Sequence, residues 1–279
     1  MIEEERRSSL VTLEKDLEAL DRVDDTPQNQ SPAYRLAFTD DDFLRRDDLR
    51  AVRLQLELMK PELILDEHGI RSTVVMFGGA RLPEPGGEPW AAKNETQRKN
   101  LTENSKYYAE ARRFAERVSQ ESLKHYGHEY VIVTGGGPGV MEAGNRGAND
   151  AGARSIGLGI VLRAEPLPNP YITPSLCFNF HYFAIRKMHF LMRAKAITVF
   201  PGGFGTMDEL FETLTLIQTE RMDRVPVILF AEAFWRRIVN FEALVEEGTI
   251  SPDDLDLFHF VETAEEGWAI IAKHYGIEA

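Results

Sequence analysis

From Thr73 onward, short apolar runs that end in glycine alternate with amphipathic stretches of helical period, and this pattern restricts the fold more than any other. A strand covered on both faces reads as a short apolar run, and a terminal glycine lets the chain turn sharply into a helix. The alternation therefore describes βαβ units around a parallel sheet. Two of the junctions are dense in glycine: Gly135-Gly136-Gly137-Pro138-Gly139 follows the run 130–134, and Pro201-Gly202-Gly203-Phe204-Gly205-Thr206 follows the run 196–200. The expected class is α/β, a Rossmann-like doubly wound parallel sheet with an N-terminal helical extension.

Strands are expected at 73–77, 130–134, 155–161, 176–180, 196–200, 225–230 and 258–261. Helices are expected at 101–125, 140–151, 182–195, 207–219, 234–247 and 264–275, with a Pro/Gly-rich loop over 83–99. In the helix 101–125 the inward face is Tyr108, Ala111, Phe114, Ala115 and Val118, and the small residues of 140–151 allow close packing on the sheet. Residues 1–70 are charged and amphipathic, with helices near 10–20 and over 41–59, the second N-capped from Asp40 to Asp42, and a polar connector over 24–32. The division expected is a helical extension over 1–70 and one α/β domain over 71–279, the part that carries both glycine-dense junctions.

Composition removes several functions. A net charge of −13 leaves no excess of Lys and Arg to neutralise a nucleic-acid backbone, although a cleft can still hold one phosphate. Cys177 is the only cysteine, so neither an intrachain disulfide nor a multi-cysteine zinc site forms, and no metal constellation is visible. The acidic opening Met1-Ile2-Glu3-Glu4-Glu5-Arg6-Arg7 is unlike a secretory signal, and no run reaches the ~20 apolar residues needed to span a bilayer. A soluble, cytoplasmic protein is expected.

In open α/β sheets ligands bind beyond the carboxyl ends of the strands, where both glycine loops fall. Glycine allows positive φ and close backbone approach, so successive N–H groups can converge on an anion at a helix N-terminus. The alternative is that each loop is only a tight turn, but two clusters of this kind directly after buried strands favour anion binding. The first loop does not fit G-x-G-x-x-G, since Val140 stands where the last glycine belongs, and no Lys-Ser or Lys-Thr follows either loop. The loops favour a monophosphate. After the second loop, Asp208 suits a helix-end role, whereas Glu209 lies close enough to a bound ligand to orient a water or stabilise a cationic sugar. Arg186 and Lys187 stand in a strongly apolar segment, with Met188, Phe190 and Leu191 as core, and His181 and His189 are expected to be packed histidines.

These residues resemble the Lonely Guy family of cytokinin-activating nucleoside monophosphate phosphoribohydrolases, often labelled lysine decarboxylases. The family motif P-G-G-x-G-T-x-x-E is met by Pro201, Gly202, Gly203, Gly205, Thr206 and Glu209, its upstream Arg-Lys by Arg186-Lys187, and its earlier G-G-G by Gly135-Gly136-Gly137. The resemblance runs from about Thr73 to Tyr275. It implies a Rossmann-like homodimer or higher oligomer that hydrolyses the N-glycosidic bond of a purine nucleoside 5′-monophosphate without a cofactor. It also implies Arg186 and Glu209 as the catalytic pair. Gly135, Gly136, Gly137, Lys187, Gly202, Gly203, Gly205 and Thr206 would bind substrate, with Glu142 as a candidate for the ribose. Two features depart from the family pattern: Gly78-Gly79-Ala80-Arg81 replaces a Gly-Ser-Ser run, leaving Arg81 to contribute instead, and the segments 1–70 and 83–99 are additions. A non-catalytic nucleotide or phospho-ligand binding protein of the same fold is the second reading, and an amino-acid decarboxylase, which needs a Schiff-base lysine, the third.

Overall fold

The computed structural model describes residues 11–20, 24–162 and 167–278; the acidic opening and Leu10 lie outside the described residues. The chain divides into two compact units, Met1–Arg53 and Leu54–Ala279. In the first, α1 (Leu13–Leu20) is exposed along its whole length. Asp40 caps α2 (Asp41–Leu44) by accepting from the N–H groups of Asp42 and Phe43, each at 3.1 Å. The helix expected over 41–59 is broken after Leu44. Asp47–Leu49 makes a single tight turn, and α3 (Arg50–Glu67) then runs eight residues beyond Met59, through Pro61.

The second unit is built on a seven-stranded, wholly parallel sheet in the order β4-β3-β2-β1-β5-β6-β7. The strands are β1 (Thr73–Phe77), β2 (Val131–Thr134), β3 (Ser155–Ile160), β4 (Cys177–Phe180), β5 (Ala194–Val199), β6 (Val227–Phe230) and β7 (His259–Val261). Between β1 and β2 lie α4 (Glu95–Asn104) and α5 (Lys106–Lys124); α6 (Val140–Asp150) joins β2 to β3, and α7 (Phe183–Leu191) joins β4 to β5. Beyond β5 come α8 (Phe204–Gln218), the pair α9 (Glu232–Ile238) and α10 (Phe241–Glu246), and α11 (Ala264–Tyr275).

Every residue of β1 is buried, as a central strand covered on both faces requires. Its side chains alternate between two cores: Val74 and Met76 face α5, α6 and α11, and Val75 and Phe77 face α7 and α8. The five residues expected on the inner face of α5 are all buried. Packing between α5 and α6 is close enough that a Cβ on Gly147 would run into the Arg112 carbonyl and come within 2.8 Å of the Ala115 methyl. At the edge, β4 alternates exposed and buried residues.

Local capping explains where the elements depart from expectation. Asn94 accepts from the Gln97 N–H at 2.9 Å, which starts α4 inside the segment expected to be loop, and a break at Ser105 separates α4 from α5. Asn240 accepts from the Ala243 N–H at 3.0 Å and so divides α9 from α10. The topology changes direction between β1 and β5, which start neighbouring crossovers on opposite sides. There the two tails remain joined, with the Phe200 N–H donating to the Phe77 carbonyl and the Gly79 N–H to the Pro201 carbonyl, each at 2.9 Å.

Candidate active site

At this switch point a cavity of about 1030 Å³ opens beyond the carboxyl ends of the central strands. Gly139 fixes one side of it. Its φ of +69° starts α6, and a Cβ there would collide with the Gly79 carbonyl, so the β1 and β2 loops can approach only at glycine. The Val140 N–H donates to that same carbonyl at 3.3 Å. On the other side Gly202 lies flush against the Thr206 side chain, leaving no room for a Cβ. Neither α6, with Gly139 as its N-cap, nor α8, with Gly203, receives a side-chain cap. Apart from the Val140 N–H, both helix starts thus keep first-turn N–H groups without a side-chain acceptor, and their positive dipole ends favour an anion.

Helix α8 begins at Phe204 rather than Met207, since Phe204-Gly205-Thr206 is already helical. This moves Asp208 and Glu209 out of the first turn, and the helix-end role expected of Asp208 gives way to an ion pair with Lys187 Nζ at 3.0 Å. Lys187 also lies 3.0 Å from Glu212, and although burial opposes its charge, these partners raise its pKa.

Glu209 is 6% exposed and lines the cavity, and its Oε2 has no hydrogen-bond partner among the described residues. Burial pushes its pKa up to about 7, against the pull of Lys187 and Arg186. Arg186 reaches the same cavity from α7, anchored by an Nε–H bond to the Leu158 carbonyl at 2.7 Å and resting over the Phe190 ring at 5.0 Å. A carboxyl group poised near neutrality beside a fixed guanidinium, next to two helix N-termini, can exchange a proton with water and stabilise a cationic centre while an anion is held nearby.

Of the residues singled out from sequence, Arg186, Glu209, Gly135, Gly137, Gly202, Gly203, Gly205 and Thr206 lie together on the cavity wall. Gly136, Glu142 and Lys187 are not among the lining residues. The Gly136 N–H is turned inward to Thr134 Oγ1 at 3.0 Å, and Glu142 accepts from the Tyr108 hydroxyl at 2.8 Å. Arg81 lines the cavity, and its guanidinium makes no ion pair among the described residues.

Sequence reasoning did not find Trp90, Leu101, Asn104, Phe183 or Ile238, which also line the cavity. They lie on loops and helix ends without a motif, and the sole cue was their size in polar surroundings. It also missed Asn169, whose Nδ2 donates to the carbonyls of Gly136 and Gly137 at 3.1 Å and holds the first glycine loop in shape. No lysine is among the described residues that line the cavity. Among the described residues no cluster of His, Cys, Asp and Glu is arranged to hold a metal, and no helix is long and apolar enough to cross a membrane.

The model of the family described as "possible lysine decarboxylase" matches residues 141–271. Among curated proteins, the chain is 26% identical over 159 residues to cytokinin riboside 5′-monophosphate phosphoribohydrolase LOG3 of Arabidopsis thaliana, covering 53% of this chain and 71% of that one. It is 32% identical over 82 residues to LOG1 of the same plant, covering 29% and 38%. Among solved structures, the structural-genomics target TM1055 is 20% identical, covering 72% of this chain and 99% of that one with a TM-score of 0.47. The molybdenum cofactor carrier protein of Chlamydomonas reinhardtii is 15% identical, covering 74% and 99% with a TM-score of 0.43. The matched segment contains Arg186 and the whole run from Pro201 to Glu209, so the likeness to the cytokinin riboside 5′-monophosphate phosphoribohydrolases falls on the residues that carry the motif.

Proposed function

We propose that the chain hydrolyses the N-glycosidic bond of a purine nucleoside 5′-monophosphate, releasing the free base and ribose 5-phosphate. One observation carries this above all: the buried carboxyl of Glu209, whose Oε2 has no hydrogen-bond partner among the described residues, on the wall of a cavity whose other features attract a phosphate. The names of the curated relatives support the reaction class.

The 5′-phosphate binds at the starts of α6 and α8, with the Thr206 hydroxyl beside it. Holding this remote group orients the sugar, so a nucleoside without it reacts poorly. As the bond from the anomeric carbon to the base nitrogen lengthens, positive charge develops on the ribose, and ionised Glu209 stabilises it. Water adds its oxygen to the anomeric carbon and gives a proton to the carboxylate, and the departing base takes a proton in turn. Arg186 is permanently cationic and holds Glu209 in its charged form when the site is engaged. No step calls for a metal or a redox cofactor.

The comparison that tests this reading sets Glu209→Gln beside the wild type, measuring AMP binding by calorimetry and adenine release by chromatography. The variant keeps the shape and loses the charge. Release is expected to fall about 10²- to 10⁴-fold with affinity nearly unchanged. An unchanged rate removes Glu209 from the mechanism, and binding without release by the wild type turns the chain into a nucleotide-binding protein.

A further inference from the structure

Helix α3 precedes the segment matched by the family model, yet it contacts α7, the helix that carries Arg186, at both ends. The N-terminus of α7 has no cap of its own: Tyr182 occupies the N-cap position without a side-chain bond. The Glu57 carboxylate of α3 instead stands at the entry to that helix. Its Oε1 accepts from the His181 N–H at 2.8 Å and its Oε2 from the Tyr182 N–H at 3.1 Å. The carboxylate thus holds the N-cap amide and the one before it, fixing the chain where it enters α7, and its charge matches the positive end of the helix dipole.

The same residue reaches the far end of α7 through its main chain. Pro61 lies four residues after Glu57 within α3 and has no N–H, so the Glu57 carbonyl loses its helical donor. His189 Nε2 lies 3.3 Å from that carbonyl. A carbonyl only accepts, so Nε2 carries the proton. His189 is itself buried, and desolvation lowers its pKa against the opposing influence of Glu62. Just beyond α7, Arg193 pairs with Glu62 and, at 2.7 Å, with Asp66, both on α3. Between these two anchored ends stands Arg186, which depends on the placement of α7 to meet the Leu158 carbonyl and the cavity.

We propose that Glu57 is a positioning residue for Arg186: its carboxylate fixes the chain where it enters α7, and its carbonyl, released by Pro61, receives His189 at the other end. Proline is unfavourable in a helix interior, and here the breach gives α7 a main-chain acceptor that an unbroken α3 would keep for itself. The consequence for turnover rests on the glycosidase reading above; the structural part does not.

The test uses the full chain with Glu57→Ala, Glu57→Gln and Pro61→Ala, following thermal melting, hydrogen exchange at the His181 and Tyr182 amides, and kcat and KM for AMP hydrolysis. Glu57→Ala is expected to speed exchange at both amides at least tenfold and to lower kcat by about 10- to 100-fold, with KM moving far less, since the phosphate cradle lies on other elements. Glu57→Gln keeps a neutral acceptor and should recover part of both losses. Pro61→Ala restores the helical donor that competes with His189, so kcat should fall while the melting temperature holds or rises, a split that a merely structural role does not produce. Unchanged exchange in a folded Glu57→Ala overturns the proposal whether or not the wild type is active. Faster exchange with unchanged kcat overturns the link to Arg186. Absence of base release by the wild type with exchange altered as expected sinks the glycosidase reading and leaves the hold on α7 standing.

Discussion

Glu209 concentrates the physical tension of the molecule, because a carboxyl group 6% exposed, its Oε2 without a hydrogen-bond partner among the described residues, resists ionising until about pH 7. The sign of the effect on stability follows from proton binding. The folded chain holds this proton more tightly than the unfolded chain, whose Glu titrates near 4.5, so stability is greatest below that value and falls as pH rises to about 7. The loss is on the order of 3 kcal/mol at most. Denaturant unfolding of the wild type and Glu209→Gln at pH 5 and pH 8 checks it. The variant should gain on the wild type between the two values, and a constant difference contradicts the burial argument. Activity moves the other way. Ionised Glu209 is the working form, so kcat/KM should rise with pH through an apparent pKa near 7, and a falling limb there would make the group a proton donor to the leaving base instead.

At the scale of elements, legibility followed the strength of local signals. Strand β1 and helix α11 have the limits that the sequence predicts, since an apolar run between polar flanks and a Thr263 capping box, reciprocated by Glu266, leave little choice. Glu209 and Arg186 were readable because a motif joins them to glycine loops. Glu57 was not, since its partners lie 124 and 125 positions away and no local pattern records an acceptor supplied by another helix. The breaks at Ser105 and before Asn240 were equally hidden, each set by a single residue within an otherwise helical stretch. The packing of α6 was legible in its small residues and yields a sharp expectation. Gly147→Ala places a methyl against the Arg112 carbonyl and the Ala115 methyl of α5, and should cost about 1–3 kcal/mol by overpacking despite alanine's better helix propensity. Thermal unfolding reads this directly, and a stabilised variant would show that α5 and α6 separate more easily than their contacts indicate.

For the whole molecule, the parallel sheet brings the starts of α6 and α8 and the side chains of Arg186 and Glu209 to one cavity, although they are scattered over 70 positions from Gly139 to Glu209. Phe183, Met188 and Met192 in and just after α7 and Phe204 and Phe211 on α8 are left exposed, Phe204 at 96%. Apolar surface of this kind supports association of two copies, and light scattering is expected to give twice the 31.7 kDa chain mass, a monomer contradicting it. The proposed chemistry is read out by incubating the purified chain with AMP, GMP, CMP, N6-isopentenyl-AMP and adenosine and identifying the products by chromatography. Free purine base and ribose 5-phosphate from a purine monophosphate, with little or none from adenosine, is the predicted result; intact nucleotides throughout, from folded protein that binds them, would contradict it.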